Sequence, residues 1–148
     1  MQIVTQFSVF LINNPGVLAQ VVGAFAEARV NVMALTLVDS REHGVLRVVA
    51  DEANRLRSVL KKLNLPMHET QVLAVELANH AGALAGVLET LAKEHIDIHY
   101  AYVTAGAPGG KTTGILHVDL LGRAVKVLEA RAKRASGGKV GFRTGPRR

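Results

Sequence analysis

Cysteine is absent from this 148-residue chain, and tryptophan with it. Without thiols there is no disulfide, no thiolate zinc site and no cysteine nucleophile, and the composition fits a reducing, cytoplasmic setting. Aromatic residues are few, four Phe and two Tyr, so a core has to be built from Val, Leu, Ile and Ala. No segment reaches the roughly 20 uninterrupted apolar residues that a membrane-spanning helix needs. The apolar N-terminal stretch has no basic leader and is broken early by Asn13, Asn14 and Pro15, which speaks against a signal peptide.

What charge there is lies unevenly. The formal net charge is +6, yet residues 1–122 hold nine Lys/Arg against eleven Asp/Glu. Residues 123–148 hold nine Lys/Arg against Glu129 alone. The basicity belongs to the C-terminal end.

An internal repeat organises the rest. A shift of 66 positions superposes Val9 on Val75, Leu11 on Leu77, Asn13 on Asn79, Gly16 on Gly82 and Leu18 on Leu84. The same shift matches Ala19 with Ala85, Val21 with Val87 and Ala26 with Ala92, while Val30-Asn31-Val32 meets Ile96-Asp97-Ile98. Each copy reads as strand, helix, strand, strand, helix, strand. The first strand alternates with period two, with Phe7, Val9 and Leu11 on one face, and Leu73, Val75 and Leu77 repeat it. Leu18, Val21, Val22 and Phe25, then Leu84, Val87, Leu88 and Leu91, follow helical spacing and give each helix one buried stripe. Hairpins are expected over Val32–Ala50 and Ile98–Leu120, with the second copy's tip at 105–114. Met67–Gln71 is a plausible fourth strand of the first copy, and only Lys139–Arg143 could be that of the second.

This order implies an α+β fold of two ferredoxin-like βαββαβ modules, each a four-stranded antiparallel sheet with two helices on one face. Residues 1–71 form the first module, 72–144 the second, and 145–148 a basic tail expected to be disordered. The open sheet face carries Phe10 and Ile12, so the other copy or a second chain should cover it, and a homodimer is expected.

At Asn14-Pro15-Gly16, Asn14 suits a helix cap and Pro15 the first helical position. Gly16 permits close backbone approach, and a helix N-terminus offers unpaired N–H groups to a carboxylate. A carboxamide accepts from an ammonium and donates to a carboxylate, so Asn13 and Asn31, at strand ends expected to be neighbours, suit a zwitterion. The bland alternative is that Asn14 caps the helix, Asn13 stabilises the turn and Gly16 packs.

The turn Asn13-Asn14-Pro15-Gly16-Val17-Leu18, followed after one helix by Val30-Asn31-Val32, resembles the signature of ACT domains. The resemblance extends over nearly the whole chain as two tandem modules. It implies a regulatory protein, not an enzyme, that binds a free amino acid or similar small zwitterion at the interface between paired modules and acts on an enzyme or regulator partner. Ligand roles carried over fall on Asn13, Asn14, Gly16, Val17, Leu18 and Asn31. In the second copy they fall on Asn79, Gly82, Ala83, Leu84 and Asp97. That copy departs from the pattern: His80 stands for Asn14, Ala81 for Pro15 and Asp97 for Asn31. Tyr100 and Tyr102 share one strand face, where they line a pocket or an interface.

Other signals are weaker. Gly106–Thr112 imitates a phosphate loop, but the glycine spacing is wrong and a strand, not a helix, follows. Six histidines lack the spacing and carboxylates of a metal site, with His117 read as matching Arg47 at an outward polar position. No serine sits in a nucleophile elbow. No cofactor is implied. The rival function is an interaction protein that binds nucleic acid or an acidic partner through Arg123, Lys126, Arg131, Lys133, Arg134 and the basic residues after them. Only Phe142 interleaves with those charges, so nucleic acid is not favoured.

Overall fold

In a computed structural model of the chain, residues 1–39, 43–104, 106 and 110–137 are described. The elements are β1 (Gln2–Ile12), α1 (Val17–Glu27), β2 (Val32–Asp39), β3 (His43–Ala50) and α2 (Ala53–Lys62). They continue with β4 (Met67–Ala78), α3 (Ala83–Lys93), β5 (Ile98–Val103), β6 (Lys111–Val118) and α4 (Leu121–Gly137). The doubled α+β pattern is the one the sequence implies. Its sheet is single, however: six antiparallel strands in the order β2-β3-β1-β4-β6-β5.

Six strands suffice because the two central ones serve both copies. β4 passes unbroken through residues 71 and 72. Its first part pairs with β1, as expected of Met67–Gln71, and its second part pairs with β6 from Leu73 to Ala78. β1 is divided likewise: Phe7–Ile12 pair with β3, and Gln2–Val9 pair with β4. The first residues of β1 thereby stand where the fourth strand of copy two would stand. Lys139–Arg143, expected in that role, lie outside the described residues.

β6 begins at Lys111, four residues before the strand expected at Ile115, because Lys111, Thr112 and Thr113 lie in register with Ala78, Leu77 and Glu76. The ladder holds a polar Lys-Thr-Thr run that no apolar alternation announces. Strand β6 also ends early, and Leu120, at φ 51°, launches α4 instead.

Two helix-facing cores result. Phe7, Val9 and Leu11 pack with Val21, Phe25, Leu56 and Leu60 under α1 and α2. Leu73, Val75 and Leu77 pack with Val87, Leu91, Ala124 and Leu128 under α3 and α4. A third core, of Ala34, Val49, Val72, Ala74 and Ile115 with Val4, Met33 and Tyr102 against it, lies on the opposite face of the sheet.

That third core exists because the sheet curls. Gln6 of β1 is fully buried and hydrogen-bonds Tyr100 and Tyr102 of β5 at 2.6 and 2.9 Å. Three strand spacings, about 14 Å, separate β1 from β5 along the ladder. The Arg47 guanidinium on β3, one strand further away, lies 4.1 Å from the centre of the Tyr100 ring. A flat sheet allows neither contact. The open faces of the two halves therefore close on each other, and the other copy covers much of the face expected to need cover. Phe10, Ile12 and Val38 remain exposed.

Replacing Gln6 by Leu keeps the volume but strands two half-buried phenols, so it should cost about 1–3 kcal/mol in chemical denaturation. A variant as stable as the parent would mean that Gln6 does not hold the seam.

Candidate functional site

The same four-residue turn opens α1 and α3. Val17 N–H donates to Asn14 O at 3.3 Å, and Ala83 N–H to His80 O at 3.3 Å. Gly16 sits at φ 85°, ψ −12°, and Gly82 at φ 88°, ψ −13°. This is the geometry of a type II turn, which demands glycine at its third position and accepts proline or many other residues at its second. Ala81 can therefore replace Pro15 without changing the backbone. The expected cap is corrected: Asn14 is the first turn residue, Pro15 precedes the helix, and Gly16 is the N-cap with no side chain bonded there. A side-chain-free cap leaves first-turn amides open to an anion.

Copy one forms a hollow of about 220 Å³ beside this turn, lined by Leu11, Ile12, Asn13, Asn14, Val17, Leu18, Leu37 and Gly44. The structure thus brings together Asn13, Asn14, Val17 and Leu18 around the Gly16 cap. It does not bring Asn31 there. α1 returns the chain to the start of β1, so Asn31 lies at the opposite end of the helix, where its carbonyl accepts from Asp51 N–H at 3.2 Å. The expectation that Asn13 and Asn31 end neighbouring strands on one side fails on that geometry. The residues that do face Asn13 are Leu37 and Gly44 of the β2–β3 hairpin. Sequence reasoning missed them, although a hairpin that returns to the turn's end of the sheet was the signal for it.

In copy two the turn is held by bonds to the following hairpin. The Asn79 carboxamide donates to Gly106 O at 2.9 Å, and Asn79 N–H donates to Gly110 O at 2.9 Å, tying the turn to the β5–β6 hairpin. His80 Nδ1–H donates to Ala81 O at 2.8 Å. Leu84 packs on the second core, and Ala83 borders a larger cleft of about 590 Å³ between α3 and α4. Asp97 lies at the far end of α3, in a separate hollow with His95 and Ile98.

The seam between the copies is the polar centre of the molecule. Arg47 Nε and His117 Nδ1 are buried there with no hydrogen-bond partner among the described residues. The reading of both as outward positions is overturned, because the outward face of one half meets that of the other. They are also not equivalent: the matched bonds from Asp51 N–H to Asn31 O and from Asp119 N–H to Asp97 O place Val49 opposite His117 and Ile115 opposite Arg47. The His117 ring lies 4.9 Å from those of both Tyr100 and His99, and His99 Nε2 meets Asp119 Oδ1 at 2.7 Å. Burial lowers the His117 pKa, with His99 and Arg47 adding to the effect and Asp119 opposing it. Burial raises that of Tyr102, which stays a phenol. The two tyrosines are interface residues.

Among the described residues, no group of His, Asp and Glu could hold a metal ion, and no helix is long and apolar enough to cross a membrane. On α4, Arg123 is committed to Glu94 at 2.9 Å; the basic residues from 138 onward lie outside the described residues.

Comparison with known proteins places this architecture. Residues 1–132 match the model of the ACT domain pair, and the chain belongs to that family, whose modules are regulatory. A search of curated proteins found no match. Among solved structures, protein BT0572 from Bacteroides thetaiotaomicron is similar at 26% identity and a TM-score of 0.80, over 88% of this chain and 89% of that one. The regulatory subunit of aspartate kinase from Thermus thermophilus, in its ligand-free form, shares the fold at 12% identity and a TM-score of 0.63, over 88% and 97% of the two chains. That of Thermus flavus does so at 14% and 0.56, over 88% and 92%.

Two outcomes are expected. Gly16→Ala meets no atom within 4 Å but forces a side chain into positive φ, so it should cost about 1–2 kcal/mol in thermal or chemical unfolding. A histidine whose pKa is lowered by folding stabilises the fold above its unfolded value of 6.5 and loses that contribution as pH falls. The melting temperature should therefore drop between pH 7.5 and 5.5. His117→Val, which installs the residue found at the equivalent place in copy one, should flatten that drop.

Proposed function

We propose that the chain is a regulatory protein that senses a free amino acid or a similar small zwitterion at the turn of copy one. The observation that carries this reading is the hollow between a side-chain-free helix N-terminus and Asn13 and Asn14. A carboxylate would sit on the amides of Leu18 and Ala19, which follow the turn-bonded amide of Val17, where the helix dipole favours it. The carboxamide oxygens of Asn13 and Asn14 would receive the ammonium. Leu11, Leu18 and Leu37 would take a small apolar side chain, and the size of the hollow suits a ligand below the usual drug-sized range. Membership in a family of regulatory modules supports the same reading, and the target would be an enzyme or regulator in the cytoplasm.

Copy two is not a second example of this site. His80 and Ala81 stand where Asn14 and Pro15 stand in copy one, and Asp97 is remote from Gly82. Asn31 can reach a Gly16 turn only from another molecule, which fits a homodimer. Phe10, Ile12, Leu37 and Val38, exposed at one end of β1 and along edge strand β2, are the surface for it. Such edges are managed by pairing or cover.

A thermal-shift screen of the twenty amino acids should find at least one that raises the melting temperature at millimolar concentration, and Asn13→Ala should abolish the shift with the fold intact. Twenty flat responses would sink the reading. Light scattering should report a dimer, and Ile12→Lys with Val38→Lys should reduce it to a monomer.

A further inference from the structure

We propose that copy two carries a second and chemically different site, the cleft between α3, α4 and the end of β4, which takes an aliphatic monocarboxylate. The cleft exists because the two copies leave their second helices differently. In copy one, α2 stops at Lys62 and the chain turns back to the sheet. Leu65 and Met67 then pack on the first core, and Phe10 N–H donates to Pro66 O at 3.0 Å. In copy two, α4 runs on to Gly137, and β1 pairs with β4 only as far as Ala74. The flank of β4 from Val75 to Ala78, equivalent to Val9–Ile12, borders a cleft of about 590 Å³ among the described residues.

The floor of this space is apolar, formed by Val75, Leu77, Val87 and Leu128. Its rim is charged. Arg131 and Lys133 come from the extension of α4, with His80 at the turn, and two carboxylates, Glu76 and Glu129, also line it. Glu76 is engaged by Lys111 at 2.7 Å. Arg131 has no ion pair among the described residues, so with Glu76 taken by Lys111 the rim sets Arg131 and Lys133 against Glu129, an excess of one positive charge over an apolar floor. That combination fits a short hydrocarbon chain ending in a carboxylate, which a guanidinium grips with two parallel N–H donors.

A paired sequence difference singles out Arg131. Its guanidinium lies over Gly86, where an added Cβ would stand 2.3 Å from an Arg131 nitrogen. Equivalent positions in copy one hold Gln20 and Leu63. The glycine and the arginine belong together: without a side chain at 86, the guanidinium can lie across α3 at the cleft mouth.

The inference does not rest on the copy-one site, and the test separates them. Hexanoate, titrated by calorimetry into the full chain, should bind, whereas hexanamide should bind at least about ten-fold more weakly, as loss of one charge-assisted contact implies. Arg131→Met should weaken hexanoate by a similar factor. Gly86→Gln displaces only the end of a flexible side chain, so it should fold normally and still lose the ligand. Asn13→Ala should leave hexanoate binding unchanged while removing any amino-acid response. No heat at millimolar hexanoate, equal binding of the amide, or indifference to Arg131→Met would overturn the proposal. So would binding that appears only after residues 138–148 are deleted, since the cleft would then belong to the chain's own end.

Discussion

Antiparallel pairing of β1 with β4 is the constraint from which the rest of this molecule follows. Each of these strands is long enough to have two partners, so each belongs to both copies at once. Because they run in opposite directions, the turns that follow them leave from opposite ends of the sheet. Because they join the halves of the ladder, the sheet can bend along them until Gln6 meets Tyr100 and Tyr102. A third core, made from residues that would otherwise face water, is the product of that bend.

The same strand gives the proposed sensing site a physical route to the interior. β1 leads directly into Asn13 at the turn and, seven residues earlier, carries Gln6 in the seam. Arg47 and Ser8 are opposite each other in the β1–β3 ladder, so the hairpin wall of the hollow and the cation over Tyr100 belong to one strand as well. A ligand that tightened the turn would act on a strand whose other end is packed between the copies. Polar atoms buried without a hydrogen-bond partner among the described residues, Arg47 Nε and His117 Nδ1, make that packing sensitive to small shifts, because their interaction energies depend steeply on local solvation.

Much of this was legible in the chain itself. Apolar alternation at Phe7, Val9 and Leu11 and helical spacing at Val21 and Phe25 report local geometry, and local geometry repeats in both copies. The turn was legible as a turn, though Asn14 was misread as its cap because the preference for Asn at caps competes with the demand for a positive φ that only Gly16 meets. Fusion of the sheets was not legible, since the partners in β1 and β4 lie from 58 (Val9 and Met67) to 72 (Gln2 and Ala74) residues apart and no side-chain pattern encodes which edge meets which. Nor was the burial of Arg47 Nε and His117 Nδ1: their polarity says outward, and only the closure of two open faces makes that direction an interior. The same topology, not the residue type, removed Asn31 from the neighbourhood of Asn13.

Shared central strands also have a hereditary consequence. After a duplication in which each copy keeps its own complete sheet, either copy can later be lost. Here the opening residues of the chain finish the sheet of the second half, and the middle residues finish that of the first, so neither half can be deleted without leaving the other with an unpaired strand. Both are retained together, while positions outside the joint framework are at liberty to change. Pro15 and Ala81, Gln20 and Gly86, Leu63 and Arg131 are the record of that liberty: one ancestral unit, bound into a pair it cannot leave, with room for its second copy to acquire a different chemistry.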